Sequence, residues 1–193
     1  MLLLLGLDSD GLSSKGITGI TRLQKLLFLL WKEAGIESVD TAFDFKPYKA
    51  GPYSRKLYDE LEFLENIGLI QSEIEGQASE VEAVELEEVS FEQLMGEDAD
   101  PYIDVPNQGD AMTADTYEER RFTLTPRGLE TARKILAGGK AKDAEDGVRR
   151  IKSRYSGFSL QDLLYHVYTK YEGDGWTSES EIRSKVLAKG SRR

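Results

Sequence analysis

The chain has 193 residues, of which 39% are hydrophobic and 31% charged, and a mean hydropathy of −0.45. This excludes a chain made of membrane spans and leaves enough apolar material for a buried core. There is no cysteine and one histidine, so disulfides, thiol nucleophiles, zinc ribbons and His-rich metal centres are excluded. The net charge of −10 is unevenly spread. Residues 1–76 carry −4, residues 77–119 carry −14 without a single Lys or Arg, and residues 120–193 carry +8. Such asymmetry marks 77–119 as an acidic insert and the C-terminal third as basic. The insert reads either as a solvated loop or as a cover for a basic surface, mimicking a polyanion.

In chain order, Leu2–Leu5 predicts a short apolar helix over residues 1–7. It lacks a basic flank and is too short for a signal peptide or a span, so a cytoplasmic protein is expected. Asp8–Gly16 is rich in Gly, Ser and Asp and reads as a loop. Thr21-x-x-Gln24 has capping-box spacing before a strong helix. Its apolar residues Leu23, Leu26, Leu27, Leu30, Trp31 and Ala34 repeat at helical period. Phe28 and Leu29 widen that face, so the helix is expected to be central, with Gly35 as its stop. Phe43–Tyr48 alternates like an extended segment, and Lys49–Tyr53 reads as a turn. Ser54 is placed to cap a helix over 55–67, with Leu57, Leu61 and Leu64 inward and Gly68 ending it. Leu69–Ile74 predicts a strand.

After the insert, Arg120–Leu124 alternates as a second strand. Thr125-Pro126 is a cap followed by proline at the first helical position, and Gly138-Gly139 stops that helix. Ala141–Tyr155 is polar and basic. Ser159-x-x-Asp162 opens a face of Leu160, Leu163, Leu164, Val167, Tyr168 and Tyr171, and Ser178-x-x-Glu181 opens another helix. The order over 1–137 is helix, helix, extended turn, helix, strand, long loop, strand, helix. The expected fold is therefore mainly α with a small antiparallel β wing. It is a winged helix-turn-helix-like domain over 1–137, with 77–119 between the wing strands and a C-terminal helical extension over 140–193. The extension's amphipathic helices need a partner surface, either the winged helix itself or a second copy in a homodimer.

Four blocks carry a family likeness. Gly19–Leu30 resembles the helix signature of the YwgA-like proteins of archaea and bacteria, and Tyr48–Ser54 followed by Leu61–Ile70 resembles their second signature. Phe122–Gly128 is similar to the LT-x-x-G pattern of winged-helix regulators, and Leu163–Tyr171 to the family's C-terminal helix. More distantly, the Lys-Leu-Leu and Gly-Pro elements resemble the Panacea antitoxin domain. The resemblance implies a winged-helix-like fold and a regulatory or antitoxin-type role without catalysis. Ala50 departs from the pattern, where a larger residue is expected before Gly-Pro, and so does the acidic insert.

For DNA, the helix over 55–67 would enter the major groove. Its candidate contacts are Lys49, Ser54, Arg55 and Lys56 at its start, where the helix dipole also favours an anion. Asp59, Glu60, Glu62 and Glu65 would repel phosphate, and Arg55 and Lys56 are equally placed to pair with Asp59 and Glu60. Arg120 and Arg121 start the second wing strand. Arg149, Arg150, Lys152 and Arg154 form the densest basic run. Such clusters give salt-dependent, sequence-blind affinity. His166 falls off the apolar stripe and is expected at a helix surface. Phe43, Phe45, Tyr48, Tyr53 and Tyr58 read as core rather than as a stacking platform. The glycine fingerprints of hydrolases and nucleotide-binding loops are absent, and the aspartates at 98, 100, 104 and 110 lack EF-hand spacing. The expected function is a DNA-binding transcriptional regulator without cofactor or metal. The alternative is an antitoxin- or adaptor-type interaction module that grips a protein partner through the acidic insert or the C-terminal helices.

Overall fold

The computed structural model describes residues 1–48, 51–77, 118–176 and 186–187. These are mainly helical, with small antiparallel sheets. Helix α1 (Leu2–Gly6) leads into the hairpin β1 (Leu7–Asp8) and β2 (Gly11–Leu12), then strand β3 (Ile17–Thr18). Helix α2 (Ile20–Ala34) follows, then α3 (Glu37–Phe43). Strands β4 (Lys46–Tyr48) and β5 (Gly51–Tyr53) pair antiparallel ahead of helix α4 (Lys56–Asn66). Strands β6 (Ile70–Gln77) and β7 (Glu118–Leu124) flank the insert, whose residues 78–117 lie outside the described residues. Helices α5 (Pro126–Ala137), α6 (Lys142–Tyr155) and α7 (Leu160–Lys170) complete the chain, with a short 3-10 turn at Glu172–Asp174.

Helix α2 is the axle of the core, as its two apolar flanks require. Leu23, Leu26, Leu27, Phe28, Leu29 and Leu30 are all buried, and α2 packs on α3, α6 and α7. A leucine taken wholly out of water in this way contributes about 1.5–3 kcal/mol. One buried cluster takes in α2, the sheet residues Ile17, Ile70, Phe122 and Leu124, and residues of the C-terminal helices such as Val148, Ile151, Leu163 and Tyr168. The tail therefore has its partner surface within the chain. The predicted Ser178-x-x-Glu181 box lies outside the described residues.

The three-stranded sheet has the order β3-β7-β6, every pair antiparallel. Ile70 faces Leu124, and Ser72 and Ile17 both face Phe122, which sets the apolar side of β7 against the helices. Thr125 caps α5 as its sequence predicts, its Oγ1 accepting the Gly128 N–H. Gly128 has a packing reason of its own: a Cβ there would lie 1.9 Å from the Leu69 carbonyl oxygen. The LT-x-x-G pattern thus couples a helix cap to a close helix–strand approach.

Four local expectations are corrected. Gly19, at φ 86°, is the N-cap of α2, and no capping box forms because Thr21 and Gln24 are buried inside the first turn. Arg55, not Ser54, stands at the N-cap of α4. Residues 37–43 form a helix where the sequence pattern predicts none. Val39 and Phe43, four apart, bury one face of it, and Asp44 closes it in the left-handed region at φ 48°. The loop expected over residues 8–16 contains the β1–β2 hairpin. The aromatic segment is core, as expected: Phe43, Phe45 and Tyr53 are buried, and Phe45 stacks on Trp31.

Candidate functional site

Side chains of α2 and α7 and the Gly51-Pro52 turn meet at the β4–β5 hairpin. Gln24 of α2 accepts the Ser54 N–H on its side-chain oxygen at 2.7 Å. Lys25 is fully buried, and its Nζ donates to the Pro52 carbonyl at 2.9 Å. Ser54 is itself buried, and its hydroxyl donates to the Phe43 carbonyl. Gly51, at φ 87°, lies so close to Tyr168 of α7 that a Cβ would come within 2.8 Å of the ring. The Gly-Pro turn is therefore clamped between α2 and α7, and this sets how α4 leaves the core. Ser54 serves that clamp and does not face a ligand, which corrects its placement among the nucleic-acid contacts.

The outer face of α4 is acidic and apolar. Lys56, Asp59, Phe63 and Asn66 follow one another at helical spacing and are all exposed, with Glu62 beside them. Phe63 is 56% exposed, a large apolar ring in a field of carboxylates. Arg55 lies 3.9 Å from Asp59, the intrahelical pair the spacing allowed. Lys56 lines a cavity of about 510 Å³ between α1–α4 and α6, together with Asp59 and Glu60. Lys49 lies outside the described residues.

The basic run on α6 is divided among Asp8, Glu145 and Glu33. Lys152 Nζ is 2.8 Å from Asp8 Oδ1, and Arg149 donates to the Asp8 carbonyl and to Glu145 Oε1, each at 3.1 Å. Burial would raise the Asp8 carboxyl, but hydrogen bonds from Lys152 and Ser13 outweigh it and hold the carboxyl below its ordinary value. Arg154 turns the other way, to Glu33 Oε2 at 3.1 Å. Arg150 is exposed and meets no carboxylate among the described residues. On the sheet, Arg121 is held by Glu75 at 2.8 Å and Thr18 at 3.1 Å, while Arg120 is exposed and meets no carboxylate among the described residues. The structure thus brings Arg149, Arg150 and Lys152 together and sets Arg154, Arg120 and Arg121 apart from them.

Glu33 is the centre of a polar clasp that joins α2, α6 and α7. Its side chain is 7% exposed. Oε1 accepts from Lys170 Nζ at 2.7 Å and the Tyr155 hydroxyl at 2.7 Å, with His166 Nε2 at 3.0 Å. The Tyr155 hydroxyl also lies 2.8 Å from His166 Nε2. Burial alone would raise the Glu33 carboxyl, but the hydrogen bonds from Lys170, His166 and Tyr155 pull it down to about 2. Burial and the Glu33 charge push the Tyr155 and Tyr171 hydroxyls well above the ordinary tyrosine range. This corrects the surface placement of His166: the ring is half-buried against Tyr155 and Phe158. A carboxylate so fully engaged has little capacity left for a substrate, so the arrangement joins helices rather than presenting a base. Sequence reasoning missed it because Glu33 and His166 are 133 positions apart.

Among the described residues there is no cluster of His, Cys, Asp or Glu fit to hold a metal ion, and no helix is long and apolar enough to cross a membrane. No protein-family model and no curated protein matches the chain.

Proposed function

We propose that the chain is a non-enzymatic, winged-helix-like interaction module of antitoxin or adaptor type, whose α4 grips a protein partner. The succession β3, α2, α3, α4, β6, β7, interrupted by the β4–β5 hairpin between α3 and α4 and with β3 beside β7, supports the winged-helix reading, with α4 in the position of the recognition helix. The meeting of three resemblance blocks at the β4–β5 hairpin supports the likeness to the YwgA-like group. The observation that carries the function is the exposed face of α4. Phe63 lies bare beside the acids Asp59 and Glu62, where a groove-reading helix needs Arg, Lys, Asn or Gln. Carboxylates beside a phosphate backbone are repelled, whereas a basic surface with an apolar pocket for the ring is complementary. The test is co-purification of the chain with partners, comparing wild type with Phe63→Asp and with Ile135→Asp, a second exposed apolar site. A protein retained by wild type and Ile135→Asp but lost from Phe63→Asp supports the module. Retention that ignores Phe63 overturns it.

A DNA-binding regulator is the second reading. It is supported by Lys56, Arg120 and Arg150, which are exposed and meet no carboxylate among the described residues. Its signature is duplex binding that weakens steeply with salt.

A further inference from the structure

A polar pocket of about 530 Å³ lies between the β1–β2 hairpin and the end of α6, lined by Asp8, Lys15, Arg149, Arg150 and Lys152 with three serines. That volume is within the range of small-ligand sites. No apolar or aromatic side chain lines it. Its floor is electrically closed: Asp8 answers Lys152 and Glu145 answers Arg149. Arg150 meets no carboxylate among the described residues, and Lys15 makes no close ion pair there, though its charge acts on Asp8. The carbonyl end of a helix attracts cations, which accounts for Lys152 and Arg154 in the last turn of α6. It does not account for Arg149 and Arg150 higher up, nor for Lys15 from another element.

We propose that this pocket binds a compact polyanion of the diphosphate type. The proposal rests on neither reading of the function given above. The guanidinium of Arg150 matches a phosphate edge with two parallel N–H groups, and Lys15 supplies a point charge to the same pocket from another element. Arg149 and Lys152, held by the hairpin, carry further N–H donors toward the same space. The serines contribute wall more than donors, since Ser153 already gives its proton to the Arg150 carbonyl and Ser9 to Asp10. With no ring or apolar surface in the wall, a nucleoside attached to the diphosphate gains nothing.

Calorimetric titration of the full chain with inorganic pyrophosphate tests this, with ADP and a short mixed-sequence duplex as comparators. The variants are Arg150→Glu, Lys15→Glu and, as an equal charge change on the exposed face of α5, Arg133→Glu. Either pocket variant is expected to weaken pyrophosphate at least about tenfold, and Arg133→Glu less than about twofold. ADP should bind no tighter than pyrophosphate. Arg150→Gln stands in if the charge reversal disturbs folding. The proposal is overturned by absence of pyrophosphate binding, by an equal loss in Arg133→Glu, or by a marked preference for ADP. It is also overturned by duplex binding through these residues without pyrophosphate binding.

Discussion

Helices α4 and α6 both carry cations that a sequence reader assigns to a polyanion, and the fold treats them differently. On α4, Arg55 meets Asp59 one turn along its own helix, at 3.9 Å and in reach of solvent. On α6, Lys152 and Arg154 are held by Asp8 and Glu33, from the opposite end of the chain. A pair within one exposed helix adds little to stability and leaves the helix face to be defined by its other residues, here Phe63 and the acids. A pair that bridges distant elements becomes part of the tertiary structure, and its cation's charge is already answered before a ligand arrives. Arg150, which lines the same pocket as Arg149 and Lys152 but is bound to neither acid, is the exception that makes a pocket.

The comparison can be broken most directly at Glu33. Glu33→Ala leaves Lys170, Arg154, His166 and Tyr155 facing a lost acceptor, and is expected to cost about 2–4 kcal/mol in urea unfolding. A loss below about 1 kcal/mol would mean that the clasp is no stronger than a surface pair. The same group sets an acid limit. The folded Glu33 carboxyl lies at about 2, below its ordinary 4.5, so the native state favours the charged form. Its contribution is therefore complete above about pH 5 and is lost as pH falls from there toward 2. Unfolding midpoints across that window should drop in wild type and drop less in Glu33→Ala.

Smaller effects sharpen the contrast within α6. Lys152→Ala removes a nearly buried partner of Asp8 and should cost about 1–2 kcal/mol in the same assay. Arg150→Ala should stay within about 0.5 kcal/mol, having no ion partner to lose among the described residues. Arg55→Ala on α4 is expected to be equally slight, no more than about 0.5 kcal/mol by thermal melting. If Arg55 proved costlier than Lys152, the distinction between local and bridging pairs would fail.

Much of the fold could be read along the chain because its signals are local. The apolar period of α2, the Gly35 stop, the Thr125-Pro126 cap and the Ser159 cap all appear where the residues place them. Each depends on backbone geometry within a few positions. Where local signals competed, the reading erred. Thr21 and Gln24 have capping-box spacing, yet Gln24 is drawn into the core to satisfy the Ser54 N–H, and Gly19 takes the cap through its positive φ. The helix Glu37–Phe43 escaped notice because its buried face is only Val39 and Phe43.

The sequence by itself determined which helices would be buried and where the charges lie along the chain. It also placed the two strands that flank the insert. Only the tertiary structure decided which cations remain available. Ser54 left the list of contacts through burial, Lys152 and Arg154 were claimed by acids far along the chain, and Arg149 was tied to the Asp8 carbonyl and to Glu145 of its own helix. His166 moved from an expected surface position into the Glu33 clasp. The physical reason is the short reach of these interactions. A hydrogen bond or close ion pair acts over about 3 Å, so its partner is chosen by packing and not by separation in sequence.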